Sequence, residues 1–387
     1  MKIEKIHIEQ IKYLFTQLKS KEDLIILLNS AKNMLYSSES TPFQMKSLTY
    51  YANPKICKKR YRSFAIEKKS GGKRMIHSPV NGLKTILRSL NFVLQCLYEP
   101  KDSVTGFVIG KSIVNNAEKH VGYRYVFNLD LKDFFHSFDR NRVKLCFMYE
   151  PFNLKGDREH LAFLLASLCT HPFIIEGKLM SILPQGSPTS PTLTNLLCRK
   201  LDDRLKGLAK RFGAIYSRYA DDITFSSQYN IFVDEEFDSE LKRIILEDQR
   251  LNINPKKTRL QSSSYRQETT GLVINSKVNV PRKFIKDLRM WLYFWEKYGL
   301  DNAQQIFIKD YSSKKGHVKK MNVSMVNVLD GKLEYLKMVK GIEDSVYKSL
   351  LKRFQNLKKE FDPINNLLDV WEKEGIEKAM ELFSKVN

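Results

Sequence analysis

Ile215-Tyr216-Ser217-Arg218-Tyr219-Ala220-Asp221-Asp222-Ile223-Thr224-Phe225-Ser226 places two adjacent carboxylates between two short runs of β-branched and aromatic residues. Each run reads as a strand, so Asp221 and Asp222 fall at the turn of a hairpin. Neighbouring like charges on a tight turn repel and add nothing to folding; they become reasonable where a divalent cation neutralises them. An isolated pair of this kind is usually a solvated turn. A third carboxylate upstream changes that reading. Phe127-Asn128-Leu129-Asp130-Leu131-Lys132-Asp133-Phe134-Phe135 is an apolar strand that ends in Asp130 and runs into aromatics. Asp130, Asp221 and Asp222 together can hold two Mg²⁺ ions, with Mn²⁺ as a substitute, and drive an in-line attack on a phosphate.

Composition narrows the partner. The 387 residues suffice for two or three packed subdomains. Lys plus Arg number 65 against 43 Asp plus Glu, a net charge of +22, which points to a polyanion and first to nucleic acid. The five cysteines, Cys57, Cys96, Cys146, Cys169 and Cys198, form no CxxC pair and no zinc-spaced cluster, so reduced thiols and a cytoplasmic setting are expected. No apolar run is long enough to span a bilayer, and Met1-Lys2-Ile3-Glu4-Lys5 lacks a signal-peptide core, so no membrane partner is expected.

Three blocks then resemble one family in their order and spacing. Tyr219-Ala220-Asp221-Asp222 resembles the catalytic box of reverse transcriptases. Asp130 with Phe135 resembles the preceding palm motif, and Leu183-Pro184-Gln185-Gly186-Ser187-Pro188-Thr189-Ser190-Pro191 resembles the segment between them. The resemblance covers about residues 60 to 345. It implies an α+β, right-hand polymerase fold: fingers, a palm with an antiparallel sheet, and a helical thumb. On that plan residues 1–60 are an N-terminal helical segment, 61–125 and 141–185 are fingers, and 126–140 and 186–280 are palm. Residues 281–360 are a helical thumb and 361–387 a C-terminal helical extension.

Along the chain, residues 1 to about 50 read as short amphipathic helices broken at Thr41-Pro42. From Tyr61 to Pro79 two strands flank a Ser-Gly-Gly turn bracketed by Lys68, Lys69, Lys73 and Arg74. This hairpin resembles the fingers element that closes over an incoming triphosphate, which implies Lys73 and Arg74 as phosphate contacts; the planar fork of Arg suits that role. Residues 80 to 100 carry a helical apolar stripe and read as core. Gly106 to His120 resembles a second fingers motif, and Asn116 and His120, four apart, share a helical face. Asn-Ala-x-x-His at this place resembles a motif of retron reverse transcriptases, which prime from and copy a structured RNA. Thr270-Gly271 resembles a second retron patch, with Thr269 where those enzymes tend to carry Val. The resemblance therefore implies that Asn116, His120, Thr270 and Gly271 bind RNA.

The family places an aromatic beneath the nucleotide sugar five residues after its palm aspartate, which is Phe135 here; its ring would leave no room for a 2′-hydroxyl. By the same resemblance Gln185 lies against the nucleotide and template base, Gly186 lets the backbone approach, Tyr219 contacts primer and template, and Lys257 lies near the departing pyrophosphate. A helix, a break at Thr170-His171-Pro172 and a hairpin around Glu176-Gly177-Lys178 are expected between residues 141 and 182. Helices are expected from Pro191 to about Arg211, from Leu241 to Arg250, and onward from Pro281. There Phe284, Leu288, Trp291, Leu292 and Trp295 form an apolar stripe beside Lys283, Lys286 and Arg289. This pairing suits a thumb that grips a duplex by its phosphates. Pro363 to Asn387 reads as an acidic-basic amphipathic helix.

The function expected is RNA-directed DNA synthesis of retron type in the bacterial cytoplasm. It takes deoxynucleoside triphosphates (dNTPs) and a structured non-coding RNA, passes through an RNA–DNA hybrid, and yields single-stranded DNA joined to RNA through a guanosine 2′-hydroxyl (msDNA). The expected setting is phage defence with an effector protein. The alternatives are another bacterial reverse transcriptase (group II intron, diversity-generating or defence-associated) or a non-enzymatic RNA-binding protein on a polymerase fold.

Overall fold

The computed structural model of the chain describes residues 3–36, 40–67, 71–314, 323–361, 368, 370–372 and 374–386. Three helices come first, α1 (Lys5–Thr16), α2 (Lys21–Tyr36) and α3 (Met45–Ala52), and the expected break at Thr41-Pro42 lies between the last two. Each turns a few apolar side chains inward, among them Ile11, Leu24, Leu27 and Leu48. The hairpin of β1 (Tyr61–Glu67) and β2 (Lys73–Pro79) follows, paired from Tyr61↔Pro79 to Glu67↔Lys73. Then α4 (Asn81–Leu97) buries Leu83, Ile86, Leu87, Leu90, Val93 and Leu94, as its 3.6-residue period requires. The short α5 (Ile113–Glu118) opens with Ser112, whose side chain accepts the N–H of Val114.

The strand β3 (Tyr125–Lys132) leads into α6 (Arg140–Met148), α7 (Glu159–Cys169) and a second hairpin, β4 (His171–Ile175) with β5 (Lys178–Ile182). His171-Pro172, expected to be a break, instead opens β4. Proline is tolerated there because this two-stranded hairpin is all edge. The helix expected from Pro191 to Arg211 is two, α8 (Ser190–Leu197) and α9 (Arg199–Arg211), divided at Cys198 where ψ rises to 4°. After them come β6 (Ile215–Tyr219) and β7 (Asp222–Ser227). The next helix, α10 (Glu235–Lys242), starts well before the expected Leu241. Asp234 caps it by accepting the N–H groups of Glu236 and Phe237, and it widens into a π-helical segment over Arg243–Asp248.

β3, β6 and β7 belong to one five-stranded antiparallel sheet, separate from the two hairpins. β6 pairs with β7 and β7 with β3, while the far edge of β3 takes β8 (Asn252–Ile253) and β9 (Arg259–Ser262) in succession. Leu129 and Leu131 of β3 and Ile223 and Phe225 of β7 enter the main hydrophobic core with residues of α4, α7, α8 and α9. All five cysteines are free. Burial pushes the Cys146, Cys169 and Cys198 thiols up to about 12.

The described residues form two compact units, one drawn from residues 1–68, 72–270 and 274–276, the other chiefly from residues 277–387. The second is helical: α11 (Arg282–Lys314, interrupted at Gly299), α12 (Met325–Lys340) and α13 (Ser345–Phe361), with a last helix over Ile376–Val386. Leu288, Trp291, Leu292 and Trp295 are buried there, Trp291 edge-on to Phe307 and Trp295 edge-on to Phe354. Lys283, Lys286 and Arg289 stay exposed beside them. Part of the expected helix from Pro363 onward lies outside the described residues. No described helix is long and apolar enough to cross a membrane.

Candidate active site

The hairpin of β6 and β7 turns at Ala220-Asp221, with Tyr219 paired to Asp222. β7 then runs antiparallel to β3 so that Asp222 stands directly opposite Asp130. Asp221 is tied to the same place by its backbone, since Leu131 N–H donates to Asp221 O at 3.0 Å. Carboxylates 92 residues apart in sequence, Asp130 and Asp222, are thus neighbours because of strand register. Burial pushes Asp222 up to about 6, and the charges of Asp221 and Asp130 push in the same direction. Asp221 is also raised, by burial and by Asp130, with Lys257 and Arg74 acting against the rise.

Asp130 has the closest counter-charge. Lys257 Nζ donates to its Oδ1 at 2.7 Å and Asn254 Nδ2 to its Oδ2 at 3.0 Å. Both donors sit on the turn after β8, which is docked by Asn254 N–H on Asp130 O at 2.8 Å. Burial works against the Lys257 charge, but Asp130 holds its ammonium above the ordinary value. Among the described residues no group of three or more His, Cys, Asp or Glu side chains converges tightly enough to hold a metal as it stands, and Asp130 is turned to Lys257. The donor set still suits a hard divalent cation: three carboxylates, two of them driven toward protonation by burial and by neighbouring carboxylate charge. Membership of a metal-dependent family would find its ligands here.

The other expected nucleotide contacts lie in the same unit. Lys73 and Arg74 are exposed on β2, and the Arg74 charge acts on Asp221; Lys68 and Lys69 lie outside the described residues. β2 is anchored to the Pro184-Gln185-Gly186 block, with His77 N–H donating to Gln185 O at 2.8 Å. At Gly186, φ is +113° and a Cβ would lie 2.8 Å from His77 O, so glycine is required there. Gln185, Tyr219 and Phe135 are half-buried. The ring of Phe135 lies 6.2 Å from that of Phe107 and 5.7 Å from Phe134, which is core as expected.

Asn116 and His120 are not where an RNA contact would be. Both are 0 % exposed, packed through Ser217 and Ser226 against the same face of the β6–β7 hairpin that carries Asp222. His120 bonds through Nδ1 to Ser226 Oγ at 2.7 Å and through Nε2 to Ser217 Oγ at 2.6 Å, so one ring ties β7 to β6. Burial lowers its pKa to about 3 and keeps it neutral. Asn116 Oδ1 accepts from Thr105 Oγ1 at 2.8 Å and from Ser217 Oγ at 2.9 Å, while its amide nitrogen has no protein partner. The expectation of direct RNA contact is corrected for these two: both side chains meet the sheet, not solvent. Thr270 and Gly271 form a turn with φ of 49° and 80°. Thr270 is half-buried and its hydroxyl donates to Ile113 O at 3.3 Å, while Gly271 is exposed. Thr269, in place of Val, is buried and its hydroxyl accepts from Asn128 Nδ2 at 3.4 Å, which gives the added polar group a partner.

Sequence reading missed a second buried group. Arg218 is 0 % exposed and forks onto Asp202 of α9, Nε to Oδ1 at 2.7 Å and Nη2 to Oδ2 at 2.8 Å. Its Nη1 donates to Asn195 Oδ1 and to Ala220 O, both at 3.1 Å. Tyr216 adds its hydroxyl to Asp202 Oδ1 at 2.7 Å. Removing one partner of such a pair leaves a buried charge and typically costs about 3–5 kcal/mol. The only hint in the sequence was an arginine at an inward strand position.

A family model described as reverse transcriptase (RNA-dependent DNA polymerase) matches residues 66–274. The chain is 33% identical over 287 residues to the retron Mx65 reverse transcriptase of Myxococcus xanthus, covering 73% of this chain and 62% of that protein. It is 37% identical over 234 residues to the retron Ec86 reverse transcriptase of Escherichia coli, covering 59% and 68%. With the retron Mx162 reverse transcriptase of Myxococcus xanthus it shares 38% over 256 residues, covering 59% and 51%. The match thus spans about half to two-thirds of the length of these relatives.

Proposed function

The chain belongs to the reverse transcriptase (RNA-dependent DNA polymerase) family, and from that premise we propose that it is an RNA-directed DNA polymerase of retron type. One observation carries the reading: Asp130 and Asp222 oppose each other across β3 and β7, Asp221 joins them at the turn, and the group is short of positive charge. The retron relatives support the branch. Under this reading residues 61–125 and 141–185 are fingers, 126–140 and 186–280 palm, and 281–360 thumb.

The reaction is attack of a primer hydroxyl on the α-phosphorus of a dNTP, forming one P–O bond as the bond to pyrophosphate breaks. When bound, two divalent ions (Mg²⁺, or Mn²⁺ in its place) held by Asp130, Asp221 and Asp222 would acidify the hydroxyl and neutralise the charge that builds on phosphate. The protein's own cations do the rest. Lys257, already at Asp130, offers an ammonium to the leaving pyrophosphate. Lys73 and Arg74 hold the triphosphate, Arg74 through its planar fork. Phe135 fills the space a 2′-hydroxyl would need. Gln185 and Gly186 lie against nucleotide and template, and Tyr219 against the primer.

The nucleic-acid partner in this reading is a structured non-coding RNA, which serves as primer and template. The product is single-stranded DNA joined to it through a guanosine 2′-hydroxyl, made in the bacterial cytoplasm and used in phage defence with an effector. The net charge of +22 supports a polyanionic partner. The test is extension of an annealed primer on RNA, with and without Mg²⁺, together with sequencing of nucleic acid that co-purifies with the protein. Mg²⁺-dependent DNA synthesis and one recurrent structured RNA are expected. Tight RNA binding without synthesis would favour the non-enzymatic alternative.

A further inference from the structure

We propose that Arg218, locked by Asp202, is a positioning residue for catalysis: its guanidinium holds the Ala220 carbonyl and so sets how Asp221 and Asp222 leave the hairpin turn. This rests on the reading of those aspartates as the metal-binding pair.

Ala220 is the residue that needs holding. Its φ is +59°, the left-handed region that costs a residue with a Cβ about 1–2 kcal/mol. Asp221 follows it directly, so any relaxation at Ala220 swings the first carboxylate. The peptide is gripped on both sides. On the amide side Gly106 packs so closely that a Cβ there would lie 2.4 Å from Ala220 N. On the carbonyl side Arg218 Nη1 donates to Ala220 O at 3.1 Å.

Arg218 cannot turn away from this bond. Two of its nitrogens are committed to the two oxygens of Asp202, which fixes the plane of the guanidinium and aims Nη1 at the turn. Its backbone is fixed too: Arg218 N–H donates to Ser103 O at 2.9 Å, and Thr105 N–H donates to Arg218 O at 3.0 Å. Asn195 joins the two grips. Its Oδ1 accepts from Arg218 Nη1 at 3.1 Å and its Nδ2 donates to Gly106 O at 2.9 Å. Every one of these contacts is made by a buried residue of α8, α9 or the Ser103–Gly106 segment. The pair with Asp202 occupies Nε and Nη2, which leaves Nη1 aimed at the carbonyl that precedes Asp221. Lysine could keep the charge, but its single ammonium cannot span both oxygens of Asp202 and still reach Ala220 in a fixed direction.

The experiment compares wild type, Arg218→Lys and Asn195→Ala as full chains. It measures melting temperature, primer–template affinity, kcat and KM for dNTP, and the Mg²⁺ concentration at half-maximal rate, all well below each variant's melting point. Misplacement of a reacting group by about 1 Å typically costs about 100-fold, so kcat in Arg218→Lys should fall about 10- to 100-fold. The half-saturating Mg²⁺ concentration should rise several-fold, with primer–template affinity and KM near wild type. Asn195→Ala, which removes no charge, should shift the same two quantities in the same direction by less, and it carries the test if Arg218→Lys does not fold. Folded variants with wild-type kcat and an unchanged Mg²⁺ requirement overturn the inference while leaving the polymerase reading intact. A wild-type protein that makes no DNA overturns the reading beneath it.

Discussion

Two Asp–cation pairs sit on opposite sides of the same hairpin and differ in nearly every physical respect. Behind it, Asp202 and Arg218 are 1% and 0% exposed, and two parallel bonds join them. In front, Asp130 is 6% exposed but its partner Lys257 is 56% exposed and makes a single contact. The first uses a planar fork with nearly all donors satisfied; the second uses a compact, hydrated ammonium on a flexible stem. A pair with one solvent-exposed partner is readily exchanged for another, whereas a broken buried pair leaves a charge with no solvent. The rear pair is built to stay and the front pair to be replaced. That division is what a site needs if its carboxylates must accept cations while their backbone does not move.

The largest expected effect breaks the front. Asp222→Asn keeps the size and removes one charge, so Mg²⁺-dependent DNA synthesis should fall by orders of magnitude. RNA affinity, which rests on cationic surface, should hardly change. Extension assays beside a filter-binding titration check both, and full activity in Asp130→Asn combined with Asp222→Asn would sink the assignment.

Next comes a direct contrast between the pairs. Asp202→Asn should destabilise the protein by about 3–5 kcal/mol, because it leaves Arg218 buried and unpaired. Lys257→Met, which removes a half-exposed ammonium and leaves Asp130 bonded to Asn254, should destabilise less than Asp202→Asn and lower the rate instead. Denaturant unfolding and single-turnover rates on both variants separate the two; equal destabilisation would erase the distinction.

A third expectation follows from the burial of Asn116 and His120. Asn116→Ala with His120→Ala should depress extension on an arbitrary RNA and initiation on the co-purified RNA in parallel, along with melting temperature. Selective loss of initiation would restore a direct RNA role. The acid limb of stability sharpens this further. Burial lowers His120 to about 3 from an ordinary 6.5, with the Lys119 charge adding to the effect. The neutral ring therefore contributes its full stability above pH 6.5, and loses it as pH falls from there toward 3. His120→Gln should flatten that limb in unfolding curves.

The smallest effect is one of selectivity. Phe135→Ala opens the space beside the sugar, so incorporation of ribonucleotides relative to deoxyribonucleotides should rise even as the overall rate drops. Extension with each nucleotide set reads the ratio, and an unchanged ratio would place the gate at another residue.

Local chemistry was legible along the chain. The β-branched and aromatic runs on either side of Asp221-Asp222 make a hairpin, the runs from Tyr61 and from Lys73 pair as another, and the apolar period from Leu83 onward makes α4. Where the sequence reading slipped, a single side chain decided: Asp234 caps α10 earlier than its apolar pattern suggests, and Pro172 sits in an edge strand. Asn116 and His120 show the limit most plainly. Their spacing suggests a shared helical face, yet α5 ends at Glu118, before His120, and spacing carries no information on whether the pair meets RNA or Ser217 and Ser226.

The sequence by itself determined the three carboxylates, the turn that displays two of them, the basic balance and the retron-like motifs, because each depends on residue type and short-range period. Only the tertiary structure decided which aspartate is locked by a buried guanidinium and which stands among other carboxylates. Asp202 and Asp222 are the same residue with opposite surroundings, one facing a buried guanidinium and the other facing two more carboxylates. Strand register and helix packing supply those surroundings from distant parts of the chain, and a carboxylate's charge, partner and purpose follow from them.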